Sequence, residues 1–487
     1  MTHEPLGSME RDKRGPPPIK LFKMGDDFVH PYIPNSVPNI KKKMLEEIGA
    51  SSAAELYAEM IPDRLLLKQS MDLPEALPSE LDLKRHIEEL FSSNKTANDY
   101  ISFLGAGCWH HYVPKVCEVI QSRSEFLTAY AGGSHSDLGR FQANFEFQSL
   151  ICELLDMEVS GTPTYDWGAA AGNSVRMASR ITERKEILVP RNVSPARLQI
   201  LENFCGSVNR DNAIKITMVD LDSENGRVDI EDLKNKMSNK VACVYFENPN
   251  YLGVIEADAK EICDIAHGVD AESVVGVDAI SLGVLASPAS YGADIACGEA
   301  QPLGIRMFAG GGSCGFIATR DELSYVAEFP LRLVSLATTA VEGEYGFGQA
   351  LYERTSYIAR ENAKDWVGTT TALWGITAAV YMSLLGPEGM RELGETIIQK
   401  SNYAASLMED IDGVEVPFRG FFKEFPVKFN RPVKEVSRSL LEHGIIGGKD
   451  INGEYPELGE AALYCVTEMH SLDMIEKLDA ALREVLA

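Results

Sequence analysis

The sequence predicts an α/β protein with a mainly parallel sheet, preceded by helices and followed by a smaller α+β domain. From about residue 140, short apolar runs rich in β-branched residues alternate with stretches of helical periodicity. Near-continuous apolar strands at this spacing are typical of parallel sheets that are covered on both faces. A longer helical stretch from about residue 370, followed by three short strand-like runs, predicts the last domain. The strand-like runs of the sheet cover residues 185–190, 214–221, 241–248, 273–280, 294–299 and 314–320.

The length of 487 residues exceeds the ~150 residues typical of one domain, so several segments are expected. The first two are a flexible, Pro-rich arm and a helical segment. In the helical segment, Gly49 separates two short helices, and Ser52 and Glu55 form a capping box that opens the second. The expected boundaries are residues 1–35 for the arm, 36–100 for the helical segment, 101–370 for the α/β domain and 371–487 for the α+β domain.

The composition excludes several classes of partner. Lys and Arg number 46 against 72 Asp and Glu, and the net charge of -26 repels nucleic acid and anionic membranes. No apolar run approaches the ~20 residues that a membrane span needs, and no apolar segment follows the basic N-terminus as in a signal peptide. The nine cysteines are scattered without a C-x-x-C pair, which predicts reduced thiols in the cytoplasm and neither disulfides nor a zinc site.

Polar residues follow the predicted strands at the edge of the sheet where open α/β proteins bind ligands. The run 273–280 contains Asp278, and Gln301 comes just after the run 294–299. This layout resembles that of aminotransferase-like pyridoxal-phosphate (PLP) enzymes, in which an Asp pairs with the pyridinium nitrogen and a Lys shortly afterwards carries the Schiff base. The segment YDWGAAAGNS predicts a helix start whose N–H groups could hold a phosphate, with Gly168 and Ala169 allowing close approach. A plain helix start is the equally supported alternative.

A closer resemblance extends from about residue 32 to the end of the chain. It is carried by FLGAGCWHHYVP, SRSEFLTAY, FEFQSLICELL, ENPNYLGVIE, GADIACGEAQPLG, VYMSLLGPEGMREL and EYPELGEAALYCVTEMH. These stretches resemble subunit 1 of glycine dehydrogenase (decarboxylating), the amino-terminal half of the P-protein of the glycine cleavage system. The resemblance implies the fold type I PLP architecture, with a mostly parallel seven-stranded sheet. It also implies that the lysine lies in subunit 2 and that Gln301 stands in its place here.

The resemblance therefore implies a subunit that works through a partner. PLP is expected on a lysine-bearing subunit 2, in a heterodimer or a heterotetramer, and the lipoyl group of a carrier protein is a possible further partner. This chain alone is expected to be inactive, because a neutral amide cannot replace an amine nucleophile. Asp278, Gly168, Ala169 and Ser194 are expected to line a vestigial or interface pocket.

Four departures from the family pattern identify a divergent member. Ser194 stands where the family has a histidine, in a position where related enzymes stack a side chain on the cofactor ring. The loop Ala131 to Leu138 and the segments Asp365 to Thr371 and Leu331 to Ser335 also differ. Since these regions are expected near the pocket or subunit interface, two alternatives stay open. The chain could belong to a paralogous PLP enzyme for a different amino acid or amine, or serve as a non-catalytic scaffold or regulatory subunit.

Other polar groups are weaker candidates for chemistry. In the loop Ala131 to Leu138, His135 and Asp137 could form an acid/base pair, or they could be incidental residues of a surface turn. His110 and His111 are neighbours whose side chains point apart, and no third ligand is evident, so no metal site is expected. The run Gly310 to Ser313 is expected to form a structural turn. Cys108 and Cys314 are expected to be buried thiols, because no base or cation stands beside them in the sequence.

Overall fold

The computed structural model describes residues 29–66, 72–74, 77, 79–97, 99–126, 138–207, 212–307, 314–364 and 371–487. It divides into two compact units, one ending at Thr96 and one running from Ala97 to Ala487. The expected boundaries at residues 35, 100 and 370 stay predictions.

The first unit contains α1 (Pro38–Ile48), α2 (Ala53–Met60) and α3 (Glu80–Phe91). Gly49 ends α1 in the left-handed conformation, with φ of 75°, where a residue without a side chain is least strained. The Ser52 side chain accepts a hydrogen bond from the Glu55 backbone N–H at 3.3 Å. The predicted break and the Ser52 cap are confirmed, but the Glu55 side chain accepts the N–H of Ser51 at 2.6 Å and not that of Ser52, so the predicted capping box is only half formed. No described side chain of this unit is buried.

The second unit alternates strands and helices. Its helices are α4 (Lys115–Gln121), α5 (Leu138–Leu155), α6 (Trp167–Ile181), α7 (Pro195–Cys205), α8 (Ile230–Lys236), α9 (Ala259–His267), α10 (Leu323–Val326), α11 (Ser356–Ala359), α12 (Ala372–Glu409), α13 (Val433–Glu442) and α14 (Leu472–Leu486). Its strands are β1 (Ile101–Ser102), β2 (Val159–Ser160), β3 (Glu186–Pro190), β4 (Lys215–Val219), β5 (Val241–Asn248), β6 (Glu272–Asp278), β7 (Ile295–Glu299), β8 (Gly315–Thr319), β9 (Val334–Thr338), β10 (Tyr345–Gln349), β11 (Val414–Glu415), β12 (Glu424–Phe429), β13 (Ile445–Ile446), β14 (Lys449–Asp450) and β15 (Ala461–Cys465).

The central sheet has seven strands in the order β2-β8-β7-β6-β5-β3-β4. The pairs from β7 through β6, β5 and β3 to β4 are parallel, whereas β8 runs antiparallel to both β7 and β2. All six predicted runs form strands of this sheet, and the predicted mostly parallel architecture is confirmed. The parallel strands bring their carboxyl ends to one edge.

Helices cover the sheet on both faces, as the near-continuous apolar strands predict. On one face, Phe147 of α5 and Ile262 of α9 pack with Val244 of β5. On the other face, Val175 of α6 packs with Tyr245 of β5. Alternate residues of β5 thus enter opposite core layers, and α6 begins at the edge where the strands end.

The smaller C-terminal part is an antiparallel sheet, β11-β12-β15-β14, packed against α13, α14 and the second half of α12. The backbone leaves helical geometry at Gly386, with φ of 60° and ψ of -176°, just before Pro387. Residues on both sides of this break, such as Met382 and Met390, pack in the core of the large sheet, and only the last turns of α12, with Ala404 and Met408, pack on the small one. β1 pairs in parallel with β13, so the chain crosses from the small part into the large one just before the candidate site.

Candidate active site

The candidate site lies at the carboxyl ends of β6 and β7, where it was expected. Asp278 is the last residue of β6, and Glu299 is the last residue of β7. Asp278 lines a small cavity with Trp167 of α6 and Arg197 of α7. Gln301 lies just behind that cavity and contacts one of its walls, Trp109.

Asp278 is paired with a lysine that comes from the small C-terminal part. Its Oδ2 lies 2.6 Å from Nζ of Lys423, and both side chains are at most 5% exposed. The ammonium also lies 3.6 Å from the ring centroid of Trp109, a cation–π contact. A buried carboxylate is costly unless a nearby cation or hydrogen-bond donors compensate its charge. Lys423 therefore supplies the compensating charge for Asp278.

The charged network continues from Lys423 through His111 to Glu468. Nζ of Lys423 lies 3.2 Å from Nε2 of His111, and Nδ1 of His111 lies 2.8 Å from Oε2 of Glu468. Because an ammonium can only donate, Nε2 of His111 accepts and its Nδ1 carries the proton donated to Glu468. The family motif residues His111 and Tyr112 thus serve to join two parts of the chain, since the Tyr112 N–H also donates to Glu468 at 2.6 Å.

Acid is expected to weaken this network through Glu468. Burial alone would raise the pKa of Glu468, but His111 and the Tyr112 N–H outweigh it and lower the pKa to about 2. A carboxyl with a lowered pKa stabilises the fold above its unfolded pKa and loses that contribution as the pH falls through the folded value. We expect about 3 kcal/mol to be lost between about pH 4.5 and pH 2.

The measurement is the difference in midpoint of thermal unfolding between the wild-type chain and Glu468→Gln, taken from pH 7 to pH 3. The difference should shrink below about pH 4.5, because the Glu468 carboxyl of the unfolded chain begins to be protonated there while that of the folded chain stays charged. Glu484→Gln, at an exposed position of the last helix, is the control. A difference that stays constant over this range would contradict the expectation.

The first turn of α6, proposed above as a phosphate cradle, is bound by carboxyl groups of the chain itself. Oδ1 of Asp166 accepts the N–H of Ala169 at 2.7 Å, and Oε2 of Glu299 accepts the N–H of Trp167 at 3.0 Å. A Cβ at Gly168 would lie 2.3 Å from Cδ1 of Ile200. The missing side chain at Gly168 therefore lets α6 pack closely against α7.

Glu299 accepts hydrogen bonds from three backbone N–H groups of this region. Besides Trp167, it accepts the N–H groups of Cys314 at 3.0 Å and Gln301 at 3.1 Å through Oε1. Burial raises its pKa to about 7, although these backbone donors favour the charged form. Sequence reasoning missed Glu299 and Asp166. The sequence signal was available, because Asp166 directly precedes the helix start, where an Asp is a favoured N-cap.

Gln301 is buried and fully engaged in hydrogen bonds. Its Nε2 donates to the carbonyl of Ile305 at 2.8 Å and to that of Trp109 at 3.4 Å. Its Oε1 accepts the N–H of Trp109 at 3.4 Å, and the Cys108 thiol lies within 4.0 Å. The Gln301 side chain thus connects the backbone of Trp109 to the segment that follows β7 through hydrogen bonds.

Arg197 and Glu247 form a second buried ion pair beside the cavity. The Nε and Nη2 atoms of Arg197 each lie 2.6 Å from an oxygen of Glu247, and the guanidinium lies 3.9 Å above the Trp167 ring. Tyr245 donates its hydroxyl proton to Glu247 at 2.9 Å. Ser194, at the N-cap of the same helix as Arg197, is buried but makes no side-chain cap. Its hydroxyl is not among the groups that line the cavity.

The residues that surround this site do not fit PLP. The cavity between them measures about 20 Å³, room for roughly one water molecule. Lys423 occupies the space beside Asp278, and carboxyl groups bind the N–H groups of α6 where a phosphate would be held. No chemical step is therefore assigned to a cofactor on this chain.

Restoring a lysine at position 301 is expected not to create a PLP enzyme. In Gln301→Lys the new amine replaces an amide that holds Trp109, but the cavity stays blocked by Lys423 and Trp109. We expect no absorbance band of protein-bound PLP when the variant is mixed with the cofactor. Gln301→Leu, which adds no amine, is the control for lost hydrogen bonds. A strong band in Gln301→Lys alone would contradict the closed site.

Several predicted positions lie outside the described residues. His135 and Asp137, the run Gly310 to Ser313 and residues 365 to 370 belong to this group. Cys314 is buried as expected, whereas Cys108 is only half-buried, against expectation; burial raises the pKa of the Cys108 thiol to about 11. Across the part of the chain that the structure describes, no group of three His, Cys, Asp or Glu side chains could hold a metal ion.

Comparisons with known proteins agree with this architecture. The family model of the glycine cleavage system P-protein matches residues 30–482. A probable glycine dehydrogenase (decarboxylating) subunit 1 of Staphylothermus marinus is 38% identical, over 94% of this chain and 98% of its own. The protein of the same description from Pyrococcus abyssi is 39% identical, over 93% and 99%.

Solved structures give the same result. The crystal structure of a glycine decarboxylase (P-protein) of the glycine cleavage system, in inhibitor-bound form, superposes with a TM-score of 0.82 at 33% identity, covering 94% of this chain and 100% of that one. A sphingosine-1-phosphate lyase of Burkholderia pseudomallei, with a TM-score of 0.62 at 13% identity over 86% of this chain and 92% of its own, shares the fold alone. Within the described ranges, no helix is long and apolar enough to cross a membrane. The resemblance found in the sequence motifs is confirmed, and the chain belongs to the glycine cleavage system P-protein family, on the side of its subunit 1 members.

Proposed function

We propose that this chain is the lysine-less subunit 1 of a heteromeric, PLP-dependent glycine decarboxylase, and that it completes the active site of a lysine-bearing subunit 2. The observation that carries the proposal is the buried Gln301 in the lysine position of an otherwise intact fold. The relatives that match along nearly their whole length are named as subunit 1 of glycine dehydrogenase (decarboxylating). The cofactor, which acts as the electron sink for decarboxylation, is placed on the partner.

Two features of the described residues support a partner. The site itself is closed, so this chain can act only by shaping a neighbouring pocket. In addition, the amphipathic helix α3 exposes Leu81, Ile87 and Leu90, and no described side chain of the N-terminal unit is buried. Amphipathic helices gain most of their stability by burying an apolar face. We infer that part of this apolar surface is covered in a heteromer.

The compartment and the carrier are inferred from chemistry. All nine cysteines are free thiols, which favours a reducing compartment, and we place the chain in the cytoplasm. The lipoyl group of a carrier protein is proposed as the acceptor of the remaining one-carbon unit after decarboxylation.

Reconstitution with the partner tests the function directly. Co-expression with a lysine-bearing subunit 2 is expected to give a complex that absorbs as bound PLP and exchanges labelled carbon dioxide into glycine. Neither subunit alone should do so at a comparable rate, and lipoyl carrier protein should increase the exchange. Bound PLP without exchange would point to another amino acid or amine, and the absence of any PLP-binding partner would point to a scaffold.

A further inference from the structure

The closed site differs from a PLP site in more than the missing lysine, because side chains of the chain itself lie where the two charged ends of PLP would bind. PLP carries a positive charge at its protonated ring nitrogen and a negative charge at its phosphate. In this fold, an Asp at a strand end receives the first and the start of a helix receives the second. We propose that Lys423 replaces the first charge and that the carboxyl oxygens of Asp166 and Glu299 replace the phosphate as acceptors of the helix N–H groups. The chain thus folds around a substitute for the cofactor built from its own side chains.

The positive end of the substitute is Lys423. Its Nζ lies 2.6 Å from Oδ2 of Asp278, on the face of Trp109. Asp278 is 4% exposed, so an uncompensated charge there would be strongly destabilising. Without a cofactor, a cation must come from elsewhere, and Lys423, which directly precedes β12 of the small sheet, provides it.

The negative end lies at the start of α6. Asp166 and Glu299 accept the N–H groups of Ala169 and Trp167, two of the orphan donors of the helix. Glu299 has two further backbone donors, from Gln301 and Cys314. Acceptors of the chain itself thus occupy the positions that a phosphate would otherwise fill.

The backbone around Lys423 is fixed by contacts of Lys423 and of the next residue, Glu424, so Lys423 is not part of a mobile lid. The Lys423 carbonyl accepts the N–H of Val466 at 2.9 Å. The next residue, Glu424, accepts the N–H of Ala106 at 2.5 Å through Oε1, and its backbone packs on Gly253. The substitute therefore also joins the small sheet to the large one, and closure of the pocket is part of the native fold.

Chemical rescue tests the positive end in the full chain. Lys423→Ala should lower the midpoint of thermal unfolding by ~5 °C or more, because Asp278 loses its counter-charge. Millimolar n-propylammonium, which matches the deleted atoms, should restore much of the loss, whereas n-propanol should not. Lys428→Ala, on the strand that directly follows Lys423 but in a more exposed pair with Glu415, should show no selective recovery. Loss of stability without selective recovery by the ammonium would overturn the proposal.

A second pair of variants covers the case in which Lys423→Ala does not fold. Lys423→Met and Asp278→Asn together remove both charges, so the double variant should be more stable than Lys423→Met alone. Additive losses would contradict the proposed pairing.

Covalent labelling gives a test on the wild-type chain. Borohydride reduction after incubation with PLP should leave Lys423 unmodified, and a pyridoxyl group on Lys423 would overturn the proposal.

These measurements are independent of the proposed function, on which the inference rests only for placing PLP on the partner. They use the isolated full chain and report stability and covalent labelling. Failure of glycine exchange in the reconstituted complex would leave the rescue result unchanged. Conversely, an active complex in which subunit 1 itself binds PLP would overturn the inference that side chains replace the cofactor, but it would leave the proposed function standing.

Discussion

Gly253→Ala is expected to destabilise the second unit by about 3–5 kcal/mol, or to prevent its accumulation, although the change adds only one methyl group. Gly253 has φ of +79°, and a Cβ at this position would lie 1.8 Å from the carbonyl oxygen of Glu424. Since the opposing atom belongs to the backbone, no side-chain rotation can relieve the contact. The small sheet would have to move away from the large one, and Lys423 would move with it.

Gly420→Ala is the matched control. Gly420 also has a positive φ, of +70°, but nothing lies within 4 Å of its Cβ position. It should therefore show only the conformational cost of the left-handed region, about 1–2 kcal/mol. Thermal or urea unfolding of the two variants separates backbone strain from the clash. Equal losses would show that the close approach at Gly253 contributes nothing.

The large sheet was predictable because its strands are buried on both faces. In β5, all eight residues are buried, so the sequence is a continuous apolar run ended by polar residues, as parallel strands require. The hairpin of β9 and β10 was not predicted. Leu336 and Tyr345 are exposed there, and two glycines interrupt β10. A strand pair outside the core therefore carries little hydrophobic signal in its sequence.

The candidate site was predictable in part, through the positions that the family resemblance supplied. Asp278 ends β6 and Gln301 follows the end of β7, as the pattern of strand ends predicted. Lys423 was missed because a lysine usually faces solvent, and its partner Asp278 lies in a different part of the fold. Pairs of this kind arise from the way that two sheets dock, and local sequence patterns do not encode that arrangement.

Arg197→Met is expected to cost about 3–5 kcal/mol, because it leaves Glu247 buried without a counter-charge. The side chains of the pair are 9% and 0% exposed, and both guanidinium hydrogen bonds are short. The surface pair of Arg191 and Glu457 has a similar contact distance of 2.8 Å but is 40% and 36% exposed. Arg191→Met should therefore cost less than about 1 kcal/mol.

The double variant decides whether the large loss comes from the unpaired charge. Glu247→Gln keeps an acceptor for the Tyr245 hydroxyl but carries no charge. If the unpaired buried charge causes the loss, the double variant Arg197→Met with Glu247→Gln should be more stable than Arg197→Met alone by about 1 kcal/mol or more. If the double variant is instead as unstable as the sum of the single changes, the loss comes from packing of the guanidinium on Trp167. The wall of the closed cavity would then depend on that stacking contact, and the buried ion pair would be secondary to it.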